Sequence, residues 1–358
     1  MLAWQAGCTA LPLGETLWVS AGPRPLATLP GWRQASPLPL AAALRQQCAA
    51  RHGKPAAIAN NHRQACSRLT SDLGAGALRA MLEREYVAWP VVADDGNGVG
   101  LLTGYHEPLV TGSRRRRSAN QEPLYQPPPL TPGIPGPSRA QIAADPVAAG
   151  VAGRELVWLD DPVEAFFLQI QGSGRIRLRD GSIMRVGYAA HNGHAYHAIG
   201  RTLIDQGALR RDQLSADAIK RWLREHPQRA LAVMQTNPRV IFFRELAQAD
   251  ASSGPIGALG LPLTARGSAA VDLDRLPGGA LLYGRSLDAP QTRPGLVLAQ
   301  DRGSAIRGAV RVDWFTGSDE PAARLASSLD DRLRLWLLWP RGAQPPGRLP
   351  VAWPEPPL

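Results

Sequence analysis

The sequence is 358 residues long, 44% of them hydrophobic, with a formal net charge of +10. A chain of this size can bury a sizeable core and is long enough for two domains. It has no run of about eighteen apolar residues, so no segment is predicted to span a membrane. Apart from Lys54 and Lys220 the basic residues are arginines scattered along the chain, whereas nucleic-acid-binding proteins more often concentrate theirs. No nucleic-acid partner is expected.

The chain has three cysteines, Cys8, Cys48 and Cys66. Gly7 and Cys8 stand where a lipoprotein signal would be cut and lipidated, but only seven residues precede Cys8 and none of them is charged. Either the natural start lies upstream or Cys8 is an ordinary cysteine. In an oxidising compartment Cys48 and Cys66 could form one disulfide and leave Cys8 free for lipid. Two buried free thiols are an equal alternative.

The first part of the chain combines a polar segment with helices and a strand. Residues 1–35 are rich in proline and glycine and are predicted to form a tether. Helical spacing of apolar residues follows in Leu40–Cys48 and Gly76–Tyr86. Val99–Pro108 (VGLLTGYHEP) is predicted to be a buried strand that ends at its proline. Prolines and glycines dominate Gln121–Gly153, which predicts an irregular excursion without a helix or strand.

The middle of the chain mixes helices with a hairpin. Asp161 and Pro162 are typical of a helix start, with the aspartate as N-cap and the proline at the first helical position. Arg175–Val186 alternates apolar residues with arginines around an Asp-Gly turn, which predicts a hairpin. Further helices are predicted for His194–Gly207, closed by its glycine, and after the capping serine in Ser215–Pro227.

Short strands separated by glycine and proline turns are predicted after Phe242. Two aspartates are prominent there: Asp301 opens a glycine turn, and Asp313 lies in an alternating run that predicts a strand. A carboxylate beside Trp314 and Phe315 would be partly desolvated and would stay protonated near neutral pH. Such a group is suited to act as a general acid. Taken alone, either aspartate is more typical of a turn.

Two other kinds of site are not predicted. His191, His194 and His197 are spaced by three, which suggests zinc, but Asn192 and Gly193 form a turn between the first two, and no nearby cysteine or acidic residue completes a ligand set. No metal site is expected. A Ser/His/Asp hydrolase is not predicted either, because the chain has no G-x-S-x-G motif.

Several sequence motifs follow one another along the chain. They are Thr103–Pro108 (TGYHEP), Trp158–Pro162 (WLDDP), Phe166–Arg201, Met234–Phe243, Gly254–Gly284 and Gly295–Glu320. In order and spacing they resemble the membrane-bound lytic murein transglycosylase A family, over about residues 89–339. The C-terminal part is similar to the three-aspartate domain of that family, with Asp272, Asp301 and Asp313 on the matching positions.

The resemblance implies a mainly β fold with a few helices and two structural domains. Residues 36–107 and 240–345 would form a double-psi β-barrel from both ends of the chain. Residues 108–239 would form an inserted, β-rich, substrate-binding domain, with a groove between the two. Residues 1–35 would remain a tether, and residues 346–358 a proline-rich tail.

The resemblance also implies a reaction. Lytic transglycosylases cut the MurNAc–GlcNAc β-1,4 bond of peptidoglycan without water and leave a 1,6-anhydro sugar. Asp313 matches the catalytic aspartate, which acts first as acid and then as base. Asp301 matches a supporting aspartate, whereas Asp272 and Asp319 are expected to be structural. No cofactor is implied.

Polar and aromatic side chains in the motifs are candidates for holding sugar rings. His106, Ala190 and Ser304 depart from the family pattern, which has a tyrosine at the first position and glycines at the other two, so the detailed contacts can differ here. About half of the candidates are expected to touch substrate. They are Thr103, Tyr105, Gln169, Gln171, Ser173, Tyr188, Asn192, Tyr196 and Asn237.

The implied partners are peptidoglycan glycan strands, with wall-synthesis or divisome proteins as further candidates. The protein is expected to be a periplasmic monomer, attached to the outer membrane if Cys8 is lipidated and otherwise without a membrane contact. Arg114–Arg117 is predicted to be a solvated loop, with contact to the carboxylates of wall stem peptides as the functional alternative.

Two other functions remain open. A hydrolytic endoglucanase on the same barrel would need a second catalytic carboxylate, for which Asp301 or Glu107 is the candidate. A non-catalytic wall-binding module would leave the retention of Asp313 unexplained.

Overall fold

The structure is a computed structural model. It describes residues 22–49, 62–69, 73–93, 95–246, 254–289, 294–343 and 345. Cys8 and the predicted tail lie outside the described residues, as does most of the predicted tether. The described end of that tether packs on the protein, because Leu26 and Trp32 are almost fully buried. None of the described helices is both long and apolar enough to cross a membrane.

The described chain is mainly β with nine α-helices. The strands are β1 Tyr86–Pro90, β2 Gly100–His106, β3 Leu109–Ser113, β4 Glu122–Tyr125, β5 Glu155–Leu159, β6 Ser173–Arg177, β7 Ile183–His191, β8 Ile241–Leu246, β9 Ser268–Val271, β10 Leu281–Ser286, β11 Pro294–Asp301, β12 Arg311–Gly317 and β13 Asp330–Pro340. The helices are Leu38–Ala49, Arg63–Arg68, Ala75–Glu85, Arg139–Ala144, Pro162–Gln171, Ile199–Asp205, Ala216–Glu225, Pro227–Gln235 and Glu320–Ser327. Short 3-10 helices cover Leu26–Thr28 and Arg211–Gln213.

Six strands close into a barrel in the order β13-β10-β11-β9-β12-β2, with β2 pairing back onto β13 and β1 added outside β13. Two of the pairs, β2 with β12 and β9 with β11, are parallel, and the other pairs in the ring are antiparallel. Apolar side chains such as Leu282, Val297 and Leu335 fill the interior. Since β2 precedes the second sheet in the chain and the other five strands follow it, both ends of the chain build the barrel, as predicted.

The second sheet has the order β4-β5-β3-β6-β7-β8 and is inserted between β2 and β9. The helix Pro162–Gln171 packs beside it and begins as its sequence predicts. The Asp161 side chain accepts hydrogen bonds from the N–H groups of Val163 and Glu164, and Gly172 ends the helix with φ 78°. The predicted mainly β fold with an inserted β-rich unit is confirmed.

Two predictions for the inserted unit were wrong. Gln121–Gly153 contains β4 and the helix Arg139–Ala144, which begins with a capping box between Ser138 and Gln141. That S-x-x-Q spacing is a helix-start signal in the sequence. The helix predicted from His194 begins only at Ile199, because the preceding residues bond elsewhere; the N–H of His197, for example, donates to the side chain of Asn237.

The helix Glu320–Ser327 lies directly on β2. A side chain at Gly104 would place its Cβ 2.6 Å from Leu329 Cδ1 and 2.9 Å from Ala326 Cα. The Asp319 carboxylate caps this helix by accepting from the N–H of Ala322 at 2.8 Å. The packing at Gly104 fixes the position of β2, the strand that carries two of the candidate site residues. The cap gives Asp319 the structural role expected for it.

Cys48 and Cys66 form a disulfide that closes a loop with a sequence separation of 18. Of the two alternatives from the sequence, the structure has the disulfide. A cross-link over a loop of this length restricts the unfolded chain and contributes about 3 kcal/mol.

We therefore predict that the double variant Cys48→Ala/Cys66→Ala loses about 3 kcal/mol of unfolding free energy, measured by urea denaturation against the oxidised parent. Reduction of the parent with dithiothreitol should move it to the midpoint of the double variant and leave the variant unchanged. Equal midpoints for oxidised parent and double variant would show that the bond does not stabilise the fold.

Candidate active site

The parallel pairing of β2 with β12 brings the candidate site together. Its register places Thr103 beside Asp313 and Tyr105 beside Phe315. Aligned residues of neighbouring strands project from the same sheet face, and side chains alternate along each strand. Thr103, Tyr105 and Asp313 therefore share one face, although Thr103 and Asp313 are 210 residues apart in the sequence.

Asp313 is held by one of its two oxygens. The hydroxyl of Thr103 donates to Asp313 Oδ1 at 2.5 Å. On the neighbouring strand β9 the residue opposite Asp313 is Ala270, which has no polar side chain. Among the described residues, no protein hydrogen bond to Oδ2 of Asp313 is found, so this oxygen can meet a substrate.

Asp301 lies at the end of β11 and is held more tightly. The phenol of Tyr105 donates to Asp301 Oδ2 at 2.7 Å, and the N–H of Ala258 donates to Asp301 Oδ1 at 2.9 Å. The Tyr105 ring also packs against Phe315, with ring centroids 5.4 Å apart. Both oxygens of Asp301 thus already accept a hydrogen bond from the protein.

Burial controls the protonation of both aspartates. It raises the pKa of Asp313 above its ordinary value, and the hydrogen bond from Thr103 and the charge of Arg311 partly offset that rise. Burial also raises the pKa of Asp301, partly offset by its hydrogen bonds, and the charge of Asp313 raises it further. Two buried carboxyl groups that sense each other do not ionise independently. The site therefore shifts both carboxyl groups towards the protonated form, relative to an aspartate in water.

The aromatic source of this desolvation differs from the prediction. Trp314 packs with Val312 against the barrel interior, on the strand face opposite to Asp313. Phe315, two residues after Asp313, is buried against Tyr105. The pKa of Asp313 is raised, as predicted. Because side chains alternate along the strand, however, Trp314 does not contribute to the burial of Asp313.

Glu107 is committed to a structural ion pair. Its side chain is almost completely buried and lies 3.4 Å from Arg175 Nε and 3.2 Å from Arg185 Nη2. The hydroxyl of Ser318 donates to it at 3.1 Å, and Arg175 in turn donates to the carbonyl of Ser318. Glu107 therefore joins the inserted sheet to the end of β12, and its carboxylate oxygens are occupied by these contacts.

Three of the candidate sugar-binding amides hold the framework of the inserted unit. Asn192 is buried; its amide N–H donates to two carbonyls, and its oxygen accepts from the N–H of Val240. Asn237 is also buried and accepts from two backbone N–H groups. Gln169 accepts from the guanidinium of Arg139 and from the N–H of Ile241. These amides fix loops and strands within the inserted unit, and their contact with sugar stays a prediction.

The remaining candidates of the inserted unit lie closer to the surface. Tyr188 on β7 is 36% exposed, and its ring lies 6.4 Å from that of His191. Tyr196 is half-buried, which raises the pKa of its phenol. Ser173 and Gln171 are half-buried at the start of β6 and the end of the preceding helix. The buried side-chain oxygen of Gln171 has no hydrogen-bond partner among the described residues.

A cavity of about 560 Å³ lies where the barrel and the inserted unit meet. Ser318 and His106 line it from the barrel side, and Glu164 and Lys220 from the inserted unit, where they form an ion pair at 2.7 Å. His106 directly follows Tyr105 and therefore lies on the other face of β2. Burial lowers the pKa of His106 below its ordinary value.

The three histidines whose spacing suggests a metal site each form a hydrogen bond with a different partner. His191 Nδ1 accepts from the N–H of Gly193, His194 contacts the carbonyl of Gly136, and His197 contacts the hydroxyl of Thr202. Within the part of the chain that the structure describes, no group of three or more His, Cys, Asp or Glu side chains could hold a metal ion.

Asp272, the first of the three matched aspartates, supports the turn between β11 and β12. It is buried and accepts from the N–H of Gly308 at 2.8 Å, with Arg307 at 3.7 Å from its other oxygen. It holds the loop that leads into β12 and so acts on Asp313 only through the backbone.

Comparison with known proteins identifies the family. Residues 101–244 match the MltA specific insert domain and residues 267–339 match the 3D domain. The membrane-bound lytic murein transglycosylase A of Escherichia coli K12 is 30% identical over 272 residues, which cover 74% of this chain and 72% of that protein. The chain belongs to the membrane-bound lytic murein transglycosylase A family. It is thus a lytic transglycosylase that acts on peptidoglycan, as the motifs predict.

Solved structures of relatives share the fold. The lytic transglycosylase LtgG of Burkholderia pseudomallei is 40% identical, with a TM-score of 0.63, covering 90% of this chain and 97% of that one. MltA from Neisseria gonorrhoeae is 28% identical, with a TM-score of 0.73 and coverages of 92% and 95%. Escherichia coli MltA with bound chitohexaose is 26% identical, with a TM-score of 0.68 and coverages of 90% and 92%.

We predict that Glu107→Gln lowers the unfolding free energy by about 3 kcal/mol, because it leaves the buried Arg185 and the half-buried Arg175 without their counter-charge. Activity per folded molecule should stay within about tenfold of the parent, since a group that is no acid or base does not contribute the larger factor. Urea denaturation and lysis of wall sacculi measure the two quantities. Glu320→Gln, at an exposed ion pair with Arg324, is the control and should change neither. Unchanged stability with abolished lysis would instead make Glu107 catalytic.

Proposed function

We propose that this transglycosylase cleaves the MurNAc–GlcNAc β-1,4 bond with Asp313 as its single acid and base, and that it releases 1,6-anhydro-MurNAc ends. The observation that carries the proposal is the contrast between the two aspartates. Burial raises the pKa of both, but one oxygen of Asp313 has no hydrogen bond from the described residues, whereas both oxygens of Asp301 accept one. A hydrolase needs a second carboxylate to act as a nucleophile or to activate water.

The proton then follows a closed path. Protonated Asp313 donates to the glycosidic oxygen as the bond from C1 to that oxygen breaks, and GlcNAc leaves with its 4-hydroxyl. The resulting carboxylate accepts the proton of the C6 hydroxyl of MurNAc as O6 forms a bond to C1. Asp313 ends the cycle protonated, and no water is consumed. One residue can serve both steps because they occur in sequence.

Cyclisation is favoured over hydrolysis because the nucleophile belongs to the substrate. A well-positioned intramolecular group reaches an effective molarity of about 10⁵ M or more, which far exceeds the concentration of bulk water. Asp301 supports this arrangement, because the hydrogen bond that it accepts from Tyr105 helps to hold β2 in position.

The substrate contacts follow from exposure and bonding. Tyr188, Tyr196, Gln171 and Ser173 are proposed to contact sugar rings, while Thr103 and Tyr105 act on the aspartates. The bound chitohexaose in the Escherichia coli relative, a chain of β-1,4-linked sugars, supports a glycan strand as the ligand of this chain. Since relatives are named membrane-bound, an envelope location follows; a periplasmic monomer with a lipid on Cys8 is the more specific proposal.

We predict that Asp313→Asn folds like the parent and loses wall lysis by about 10²-fold or more, because asparagine cannot exchange a proton. The control is Asp274→Asn, at an exposed aspartate paired with Arg307, which should lyse sacculi at the parent rate. Mass spectrometry of the parent digest should show muropeptides lighter by one water than a lysozyme-type digest. Activity of Asp313→Asn within tenfold of the parent, or dominant reducing MurNAc ends, would overturn the mechanism.

A further inference from the structure

Arg311 lies two residues before Asp313 on β12 and reaches across to β2. Its Nη2 donates to the hydroxyl oxygen of Thr103 at 2.8 Å, and its Nη1 donates to the carbonyl of Val312 at 2.8 Å. Thr103 is the same residue that donates to Asp313 Oδ1 at 2.5 Å. The three side chains therefore form one chain of hydrogen bonds from a guanidinium to the candidate acid.

The chemistry of the three groups determines which of them donates and which accepts each hydrogen bond. A guanidinium has five donors and no acceptor, so the oxygen of Thr103 must accept from Arg311. The single hydroxyl proton of Thr103 is then directed at Asp313 Oδ1, which must accept it. A proton on Asp313 is consequently placed on Oδ2, the oxygen that accepts no hydrogen bond from the part of the chain that the structure describes.

We propose that Arg311 is a positioning residue that acts on Asp313 through the hydroxyl of Thr103, reserving Oδ2 as the oxygen that gives and recovers the reaction proton. The proposal rests on the role of Asp313 under Proposed function. It adds that the positive charge of Arg311, conveyed through Thr103, stabilises the carboxylate that exists between the two proton transfers.

Other ionisable groups lie near these hydrogen bonds, and their charges shift one another's pKa values. On the Asp313 side, Asp301 and Tyr105 form the neighbouring pair, and the charge of Asp313 contributes to the raised pKa of both. On the other side, Asp330 of β13 is aligned with Thr103. Burial lowers the pKa of Arg311 below its ordinary value, and the charges of Asp313 and Asp330 partly offset that decrease. An arginine remains charged throughout the working range. Arg311 is thus a fixed cation between two acidic groups.

A purely structural role makes a different prediction. Arg311 also donates to backbone carbonyls, including that of Leu101 at 3.4 Å. Under this alternative, its role is limited to linking β2 to β12. In that case its loss would lower stability without changing the titration of Asp313. The two roles are separated by measuring that titration directly.

The test is a 13C NMR titration of the Asp313 carboxyl in the whole protein, assigned by its absence from Asp313→Asn, together with the pH profile of lysis of purified glycan strands. Arg311→Met should raise the midpoint of Asp313 by about 1 pH unit, the size typical of losing an opposite charge. Thr103→Val, nearly isosteric, should also raise it. The acid form would then persist to higher pH, so the alkaline limb of activity moves up while the plateau rate falls.

The double variant decides whether the effect passes through Thr103. In the Thr103→Val background, Arg311→Met should add less than half of its single-variant shift, and Thr103→Ser should titrate like the parent. Arg311→Lys, which keeps the charge and a donor, should recover most of the parent midpoint and serves if Arg311→Met does not fold. An unchanged midpoint in Arg311→Met, or the same shift with and without the Thr103 hydroxyl, would overturn the proposal.

These readings stay separate from the proposed mechanism. If Asp313→Asn keeps its activity, the assignment of the acid fails, whatever the titrations give. If Asp313→Asn is inactive and the midpoints do not move, the mechanism stands and the role of Arg311 fails.

Discussion

The parallel pairing of β2 with β12 is the constraint on which this structure depends. It closes the barrel between the two ends of the described chain, and the same register sets Thr103 beside Asp313 and Tyr105 near Asp301. A slip of one residue would turn every one of these side chains to the other face of the sheet. The fold and the site are therefore specified by one interaction, and the helix that packs on Gly104 helps to hold it in place.

The second requirement is a balance at Asp313. Burial alone would keep the carboxyl protonated and make it a poor base, whereas strong pairing with a cation would keep it ionised and make it a poor acid. Here burial is the larger effect, and a single hydroxyl backed by Arg311 opposes it. Glu107 has different surroundings, because two arginines of the inserted unit contact it directly. The protein thus separates a carboxyl group that can exchange protons from one that joins its two units.

Local signals in the sequence predicted the elements that begin with a recognisable cap, such as the helix after Asp161. The same kind of signal at Ser138 and Gln141 was present but hidden among prolines, so the helix there was missed. Position and type of the aspartates were also readable from the motifs. The hydrogen-bond partners of the candidate sugar-binding residues were not. Those of Asn192 lie more than forty positions away in the sequence, and only the folded chain reveals that its amide bonds within the protein.

The role of Arg311 could not be predicted for the same reason. The strand pattern places it two residues before Asp313, which puts both on one face. Its contact with Thr103 could not be predicted, because Thr103 lies on the paired strand β2, 208 positions away in the sequence. Likewise Trp314 stands next to Asp313 in the sequence and yet faces the barrel core. Consecutive residues of a strand project from opposite faces of the sheet, whereas paired residues of neighbouring strands lie side by side on one face.

The central claim is that the attacking group comes from the sugar and not from water. Its most direct test is digestion of purified peptidoglycan in water enriched in oxygen-18, with a lysozyme-type hydrolase run in parallel. The account predicts that the new MurNAc ends made by this enzyme carry no heavy oxygen, while those made by the hydrolase carry it. Heavy oxygen at C1 of most new ends would contradict the account and require a water-activating carboxylate near Asp313.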